Sequence, residues 1–242
     1  MQIAVVILLS LLGLVIGSFI GALTYRLPRR ISIVRGRSIC PNCKKKIHAY
    51  DNIPLLSFII LRGKCRNCKK EISLRYPLIE AVTAIIFIAV GLNVVNLVFA
   101  SILFAIFVID LEHQIIPDEL VNLGLAVLLF ILLVTGSESL FPRLLSGFAS
   151  ASILLTLNLI TKGKGMGLGD AKLAILIGSF FVPPFFLIWL FFSFASGAAV
   201  GVVLILARIS KLKTRIAFGP FLIIGAVLTM LYGEAFLKIL GI

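Results

Sequence analysis

Apolar runs of about 20 residues recur along almost the whole chain, and this is the feature that most restricts its fold. Of the 242 residues, 60% are hydrophobic and only 14% are charged, whereas about a quarter of an ordinary soluble domain is charged. A soluble fold of this size needs more polar surface than such a composition can supply. The sequence therefore predicts an all-α polytopic membrane protein.

The apolar runs predict eight transmembrane helices, at residues 2–24, 77–95, 97–111, 119–135, 141–160, 171–187, 188–207 and 217–238. Pro183-Pro184 favours a turn, and a helix over residues 171–182 would rise only about 18 Å, against about 30 Å for a bilayer core. We expect three parts: a first transmembrane helix (1–25), a cytoplasmic basic insert (26–75) and a seven-helix membrane domain (76–242).

The net charge of +13 comes from basic residues that cluster between the predicted spans. They lie mainly between Arg26 and Arg75, with further groups at Lys162, Lys164, Lys172, Arg208, Lys211, Lys213 and Arg215. Basic residues at alternate span ends are typical of cytoplasmic loops, which favours membrane lipids rather than nucleic acid as their partner. Because the charges follow the first apolar run, we expect a retained first helix and both termini on the non-cytoplasmic side of the membrane.

All four cysteines lie in the basic insert as two C-x2-C pairs separated by 21 residues: Cys40, Cys43, Cys65 and Cys68. This spacing predicts a tetrahedral thiolate site for Zn²⁺. Four protein ligands leave no open coordination position, so we expect the metal to stabilise the fold of the insert. Iron in place of zinc, and four reduced thiols without a metal, remain alternatives.

Two aspartates lie at the ends of apolar runs, where an ionisable group is costly and is a candidate for function. Asp110 ends the third predicted span and Asp170 begins the sixth, so both are expected at the cytoplasmic edge of the membrane. Two neighbouring carboxyls can share a proton, so that one activates water while the other polarises a carbonyl. The alternatives are an interfacial charge for Asp110 and a simple helix N-cap for Asp170.

The segment before Asp170 contains three glycines at alternate positions: Gly165, Gly167 and Gly169. They predict a non-helical loop that uses positive φ angles and close backbone approach. Asp118, which follows Pro117, is typical of a helix N-cap and is the second candidate for a catalytic carboxylate. We expect the Lys172 side chain to extend to the membrane interface.

These residues together resemble the prepilin peptidase family, also called type IV leader peptidases. The matching stretches are Gly17-Ser-Phe19, Tyr25-Arg-Leu-Pro28, Cys40-Pro-Asn-Cys43, Tyr50-Asp-Asn-Ile-Pro-Leu-Leu56, Gly63-Lys-Cys-Arg-Asn-Cys68, Ile72-Ser-Leu-Arg-Tyr-Pro77, Ile116-Pro-Asp118 and Gly167-Leu-Gly-Asp170-Ala-Lys-Leu173. The last stretch contains the GxGD motif that the family shares with presenilin-like proteases. The similarity extends from about Gly17 to Gly219-Pro220.

The resemblance implies a membrane aspartic endopeptidase with Asp110 and Asp170 as its catalytic pair. Such an enzyme removes short basic leaders from prepilins or pseudopilins, after a glycine and at the cytoplasmic face. For many members the resemblance also implies N-methylation of the new N-terminus from S-adenosylmethionine, a step linked to the cysteine insert. One departure is Gly21, where the family often has Asn.

Three other functions stay open on the sequence alone. A transporter also combines broken helices with intramembrane acids, although both aspartates here map to the membrane edge rather than the midplane. A non-catalytic adaptor with a zinc loop would tolerate the loss of either aspartate. A peptidase without methyltransferase activity is the third, because no residue pattern indicates a methyl-donor site. The sequence does not indicate an oligomeric state.

Overall fold

The computed structural model describes residues 2–33, 38–135, 139–208 and 216–241, and this described part contains helices but no strand. The α-helices are α1 (Ile3–Arg26), α2 (Leu56–Ile60), α3 (Arg75–Val90), α4 (Val94–His113), α5 (Asp118–Val134), α6 (Leu140–Ile160), α7 (Leu168–Gly178), α8 (Phe185–Leu206) and α9 (Gly219–Leu240). The basic residues Lys211, Lys213 and Arg215 lie outside the described residues.

An all-helical fold follows from the apolar composition, because a helix satisfies its own backbone hydrogen bonds in lipid. Apart from the short α2, one helix lies near each of the eight predicted positions. The sixth prediction, 171–187, is too long, because α7 ends at Gly178, before Pro183-Pro184, and α8 already begins at Phe185. Five of the helices, α1, α4, α6, α8 and α9, are long and apolar enough to cross a membrane. Since α3, α5 and α7 have 16, 17 and 11 residues, eight crossings stay a prediction.

The first compact unit, Met1–Ala105, is built on close packing of α1 against α3. A Cβ added at Gly13 would lie 2.5 Å from the Cα of Ala84, and one at Gly17 would lie 2.7 Å from the Cα of Glu80. Only glycine therefore permits this approach of the two backbones, as in the small-residue contacts of membrane helices.

The second unit, Ile106–Ile242, has α7 at its centre. Helix α7 rises only about 16 Å, and its side chains Leu173, Leu176 and Ile177 are fully buried. A Cβ at Gly178 of α7 would lie 3.0 Å from the Cα of Gly147 in α6, so these two backbones are also in close contact. This short helix is thus a protein-covered element that fixes the position of Asp170.

Helices α8 and α9 pack together in the same unit through a buried hydrogen bond. The indole N–H of Trp189 donates to the carbonyl oxygen of Leu222 at 2.8 Å, and both side chains are fully buried. Leu222 belongs to the first turn of α9, so this bond helps to fix the helix start, where Gly219 contributes to the site described next.

Candidate active site and metal centre

Asp110 lies in the last turn of α4 and is 96% buried, with a relative exposure of 4%. Its Oδ2 atom accepts a hydrogen bond of 2.9 Å from the backbone N–H of Gly219, the first residue of α9. The N-terminus of a helix carries partial positive charge and free N–H groups, which stabilise an anion placed there. The start of α9 therefore holds the Asp110 carboxylate in place through its first backbone N–H.

Asp170 is the third residue of α7 and is buried, with a relative exposure of 7%. Its Oδ2 atom accepts a hydrogen bond of 2.9 Å from the N–H of Gly167, the residue in the N-cap position. Gly167 thus holds the N-cap position itself, and Asp170 caps the same helix from the third position, where its carboxylate reaches back to the Gly167 N–H. It also occupies the positive end of its helix.

Ile116, in the segment that joins α4 to α5, lies between the surroundings of the two carboxylates. A Cβ at Gly169, next to Asp170, would be 3.2 Å from the Ile116 Cβ. A Cβ at Gly219, which binds Asp110, would be 3.4 Å from the Ile116 Cδ1. The structure thus places the surroundings of both aspartates beside one side chain, Ile116, and their pairing as a dyad stays a prediction.

One oxygen of each carboxylate is held by a backbone N–H group. The Oδ2 atoms bind the glycine N–H groups. In the described part of the chain, the one buried side-chain nitrogen or oxygen without a hydrogen-bond partner is Nε2 of His113. The Oδ1 atoms of Asp110 and Asp170 are not among such atoms.

The glycines of the GxGD segment act differently from the expectation. Gly165, Gly167 and Gly169 are not among the described residues with positive φ, and Gly167 is extended at φ −81° and ψ 151°. Their shared property is lack of space: a Cβ at Gly167 would lie 3.0 Å from Asp170 Oδ2, and one at Gly165 2.9 Å from Thr161 Cγ2. These glycines therefore permit close approach rather than unusual backbone angles.

Asp118 is exposed and does not join the buried carboxylates. It is the first residue of α5 and provides no side-chain cap, so its predicted N-cap role is wrong. The Lys172 ammonium group lies 2.8 Å and 2.9 Å from its two carboxylate oxygens. Lys172 therefore forms an exposed ion pair between α7 and the start of α5, and its extension to the membrane interface stays a prediction.

The four cysteines come together as predicted, with all Sγ atoms of Cys40, Cys43, Cys65 and Cys68 within 4.8 Å of one another. The Sγ atoms of Cys40 and Cys68 are 3.9 Å apart. Tetrahedral zinc with Zn–S bonds of about 2.3 Å needs sulfurs about 3.8 Å apart, so the donor set fits this ion. His48 is not a member of the cluster, since it stacks on the Tyr50 ring at 5.1 Å.

The two cysteine pairs have the same backbone, a repeat that the sequence analysis missed. In each turn the N–H of the first cysteine donates to the carbonyl of the residue five positions later, Lys45 or Lys70. The residue after the second cysteine, Lys44 or Lys69, has a positive φ of 59° in both turns. The shared sequence C-x-N-C-K-K is the signal that could have revealed this repeat.

The thiols compete for negative charge. The N–H of Cys43, followed by that of Asn42, outweighs burial and helps to lower the pKa of Cys40 to about 7. At Cys68 the Lys70 N–H favours the thiolate, but burial and the neighbouring thiols raise the pKa to about 11. Four thiolates at this spacing therefore need a cation to balance them, and a divalent metal supplies that charge.

Gly219 is the site residue that the sequence analysis did not single out. The available signal was Gly219-Pro220 after a basic loop, because proline in the first turn marks a helix start whose free N–H groups attract an anion.

Comparison with known proteins covers most of the chain. Residues 11–94 match the bacterial peptidase A24 N-terminal domain, and residues 97–202 match the type IV leader peptidase family. A prepilin leader peptidase/N-methyltransferase of Bacillus subtilis is 33% identical over 239 residues, which are 96% of this chain and 96% of that protein. Proteins of the same name from Pseudomonas aeruginosa and Aeromonas hydrophila are 31% and 34% identical, over 96% and 94% of this chain and 91% of each relative. No solved structure matches the chain.

Proposed function

The chain belongs to the type IV leader peptidase family, and from this premise we propose that it is a membrane aspartic endopeptidase. Its substrates are prepilins or pseudopilins, from which it removes a basic leader after a glycine at the cytoplasmic face of the membrane. Asp110 and Asp170 are the catalytic pair. The observation that carries this proposal is that both carboxylates are buried, lie around Ile116 and are each held at a helix N-terminus.

The proposed reaction uses a dyad that holds one proton. The ionised carboxylate takes a proton from water, and the resulting hydroxyl attacks the scissile carbonyl while the protonated carboxyl donates to the carbonyl oxygen. The tetrahedral intermediate then breaks its C–N bond, and the leaving amine receives a proton from the dyad. Because the pair titrates as a unit, acid and base are not assigned to individual residues.

Zn²⁺ bound by Cys40, Cys43, Cys65 and Cys68 is proposed as a structural ion. When bound, it supplies positive charge for the thiolates and folding free energy for the insert. The sulfur spacing and the two matching backbone turns support this role. The three-part organisation into residues 1–25, 26–75 and 76–242, with the insert in the cytoplasm, belongs to the same proposal.

A second activity is favoured by the names of the relatives, which combine leader peptidase with N-methyltransferase. We propose that this chain also methylates the new N-terminus, with S-adenosylmethionine as methyl donor. No described residue is assigned to that step, and a peptidase without methyltransferase activity is the alternative. Mass spectrometry of the cleaved substrate distinguishes them, because one added methyl group raises the product mass by about 14 Da.

The test of the peptidase is leader cleavage by purified protein reconstituted in lipid, comparing wild type with Asp110→Asn, Asp170→Asn and Asp118→Asn. Asparagine keeps an acceptor for the glycine N–H but cannot exchange the proton, so the first two variants should abolish cleavage. Asp118→Asn is the matched control on an exposed carboxylate and should keep it. Cleavage by folded Asp110→Asn would overturn the dyad, and absence of cleavage by the wild type on all prepilins would overturn the peptidase.

A further inference from the structure

The cysteine insert contains a second feature, separate from the aspartates and from the cysteine cluster. It is a cleft of about 350 Å³ lined by Ile60, Leu61, Arg62, Lys64 and Lys69. Two of these side chains are aliphatic and three are cationic, so the cleft combines an apolar wall with a basic wall. We call it the basic cleft.

The chain builds the basic cleft from α2 and the turn that follows it. Helix α2 exposes aliphatic side chains, and Ile59 and Ile60 are 69% and 64% exposed. The next residues, Arg62 and Gly63, have positive φ angles of 49° and 68°, which reverse the chain. This turn brings the second cysteine turn back beside α2. Large aliphatic side chains exposed next to cations in a polar loop indicate a binding surface.

The cations of the basic cleft are free, in contrast to a neighbouring arginine. Within the described ranges, Arg62, Lys64 and Lys69 have no ion pair. Arg66 lies in the same turn, but its guanidinium is bonded to Asp51 at 2.7 Å. It lowers the pKa of that carboxyl through this hydrogen bond. The charge on the cleft is therefore available to an external anion.

The insert also stays close to the end of a membrane helix. Arg75, where the insert returns to α3, donates to the Gly21 carbonyl at 3.1 Å and to Thr24 Oγ1 at 2.6 Å, near the end of α1. The insert thus leaves and re-enters the α1–α3 pair at one end. Since α1 is long and apolar enough to span a membrane, the point where the insert joins α3 lies at the end of a candidate membrane span.

We propose that the basic cleft binds the phosphate headgroup of an anionic phospholipid, with Ile59 and Ile60 inserted into the interfacial layer. Cations beside an aliphatic face are the combination that binds anionic membrane surfaces, and a guanidinium can hold a phosphate with two hydrogen bonds. A soluble phosphate has no apolar part that could contact the exposed aliphatic side chains. This site goes beyond the proposed peptidase and needs neither aspartate.

The test is native mass spectrometry of the full-length protein in detergent, titrated with dioleoylphosphatidylglycerol or dioleoylphosphatidylcholine. One triple variant removes the cleft cations: Arg62→Gln, Lys64→Gln and Lys69→Gln. The matched control removes the same charge from the first cysteine turn: Lys44→Gln, Lys45→Gln and Lys46→Gln. Lys44 and Lys69 share the same φ of 59°, so both variants change one equivalent backbone position.

We expect the cleft variant to bind phosphatidylglycerol on the order of 100-fold more weakly, from a several-fold contribution of each cation at a membrane surface. The control should stay within about threefold of wild type, and phosphatidylcholine should bind weakly to all three proteins. Equal losses in both triple variants, or no loss in either, would overturn the proposal. The mass of each protein also reports its bound metal, which shows whether the insert remains folded.

Two further measurements distinguish lipid binding from binding of a soluble phosphate. One of them uses a variant that leaves the cysteine turns unchanged. Ile59→Ser with Ile60→Ser leaves the second cysteine turn intact and should weaken phosphatidylglycerol binding. Glycerophosphoglycerol, the same headgroup without acyl chains, should compete poorly. If this soluble headgroup competes as well as the lipid, the cleft is a site for a soluble phosphate and the proposal fails. Cleavage of a prepilin is a separate assay, so its outcome does not affect this test.

Discussion

Gly219→Ala tests whether Asp110 depends on the start of α9. The added Cβ would lie 2.6 Å from Asp110 Oδ2 and 3.2 Å from its Cγ, whereas ordinary contacts begin at 3.4 Å. The carboxylate or the helix start must therefore move by about 0.8 Å, and a displacement near 1 Å at a catalytic group can cost about 100-fold in rate. We expect kcat for leader cleavage to fall on the order of 100-fold while the N–H itself is kept.

The matched control for this prediction is Gly201→Ala in α8, because no heavy atom lies within 4 Å of the Cβ it adds. Alanine is favoured over glycine inside a helix, so this control should cleave at the wild-type rate. The assay is single-turnover cleavage of a prepilin in lipid nanodiscs, with thermal unfolding as the check on folding. Wild-type kcat in folded Gly219→Ala would refute the reasoning that the Gly219 contact positions the catalytic carboxylate.

Three further predictions concern stability and metal binding. Lys172→Gln removes an ion pair whose side chains are 53% and 57% exposed, so thermal unfolding should show a loss below about 1 kcal/mol. Cys65→Ser should strongly reduce the zinc content measured by atomic emission and increase proteolysis of the insert, while cleavage continues; a normal zinc content would contradict the cysteine site. Gly13→Ala forces α1 away from the backbone of α3 and should destabilise the protein by about 1–3 kcal/mol in denaturant unfolding, whereas Gly201→Ala should not.

The sequence predicted the candidate site residues best where their placement in an apolar segment carries a free-energy cost. An ionisable group at the end of an apolar run is unfavourable unless it has a function, so Asp110 and Asp170 were identifiable as candidates. The predicted topology put both at one edge of the membrane. The cysteine cluster was predictable from its spacing, because two C-x2-C pairs are typical of zinc sites. The positions of the long helices followed in the same way from the lengths of the apolar runs.

Local geometry was harder to predict, because tertiary contacts decide it. Gly167 was expected to allow a positive φ or a close approach; it is extended, and its missing side chain makes room for Asp170. The positive φ of Lys44 and Lys69 is disfavoured for lysine and is imposed by the cysteine turns. Gly219 contacts a residue 109 positions away, a pairing that no local pattern encodes.

The contact between Asp110 and Gly219 also has a consequence for biogenesis. The ribosome makes α4 early and α9 last, and the amide that holds Asp110 becomes available only when α9 begins to form. Until then the N-terminal part of the chain already carries one aspartate in an apolar helix, but without its bonded partner. Asp110 therefore gains this hydrogen-bond partner only after the intervening residues 111–218 have been synthesised, so the surroundings of its carboxylate are completed later than α4 itself.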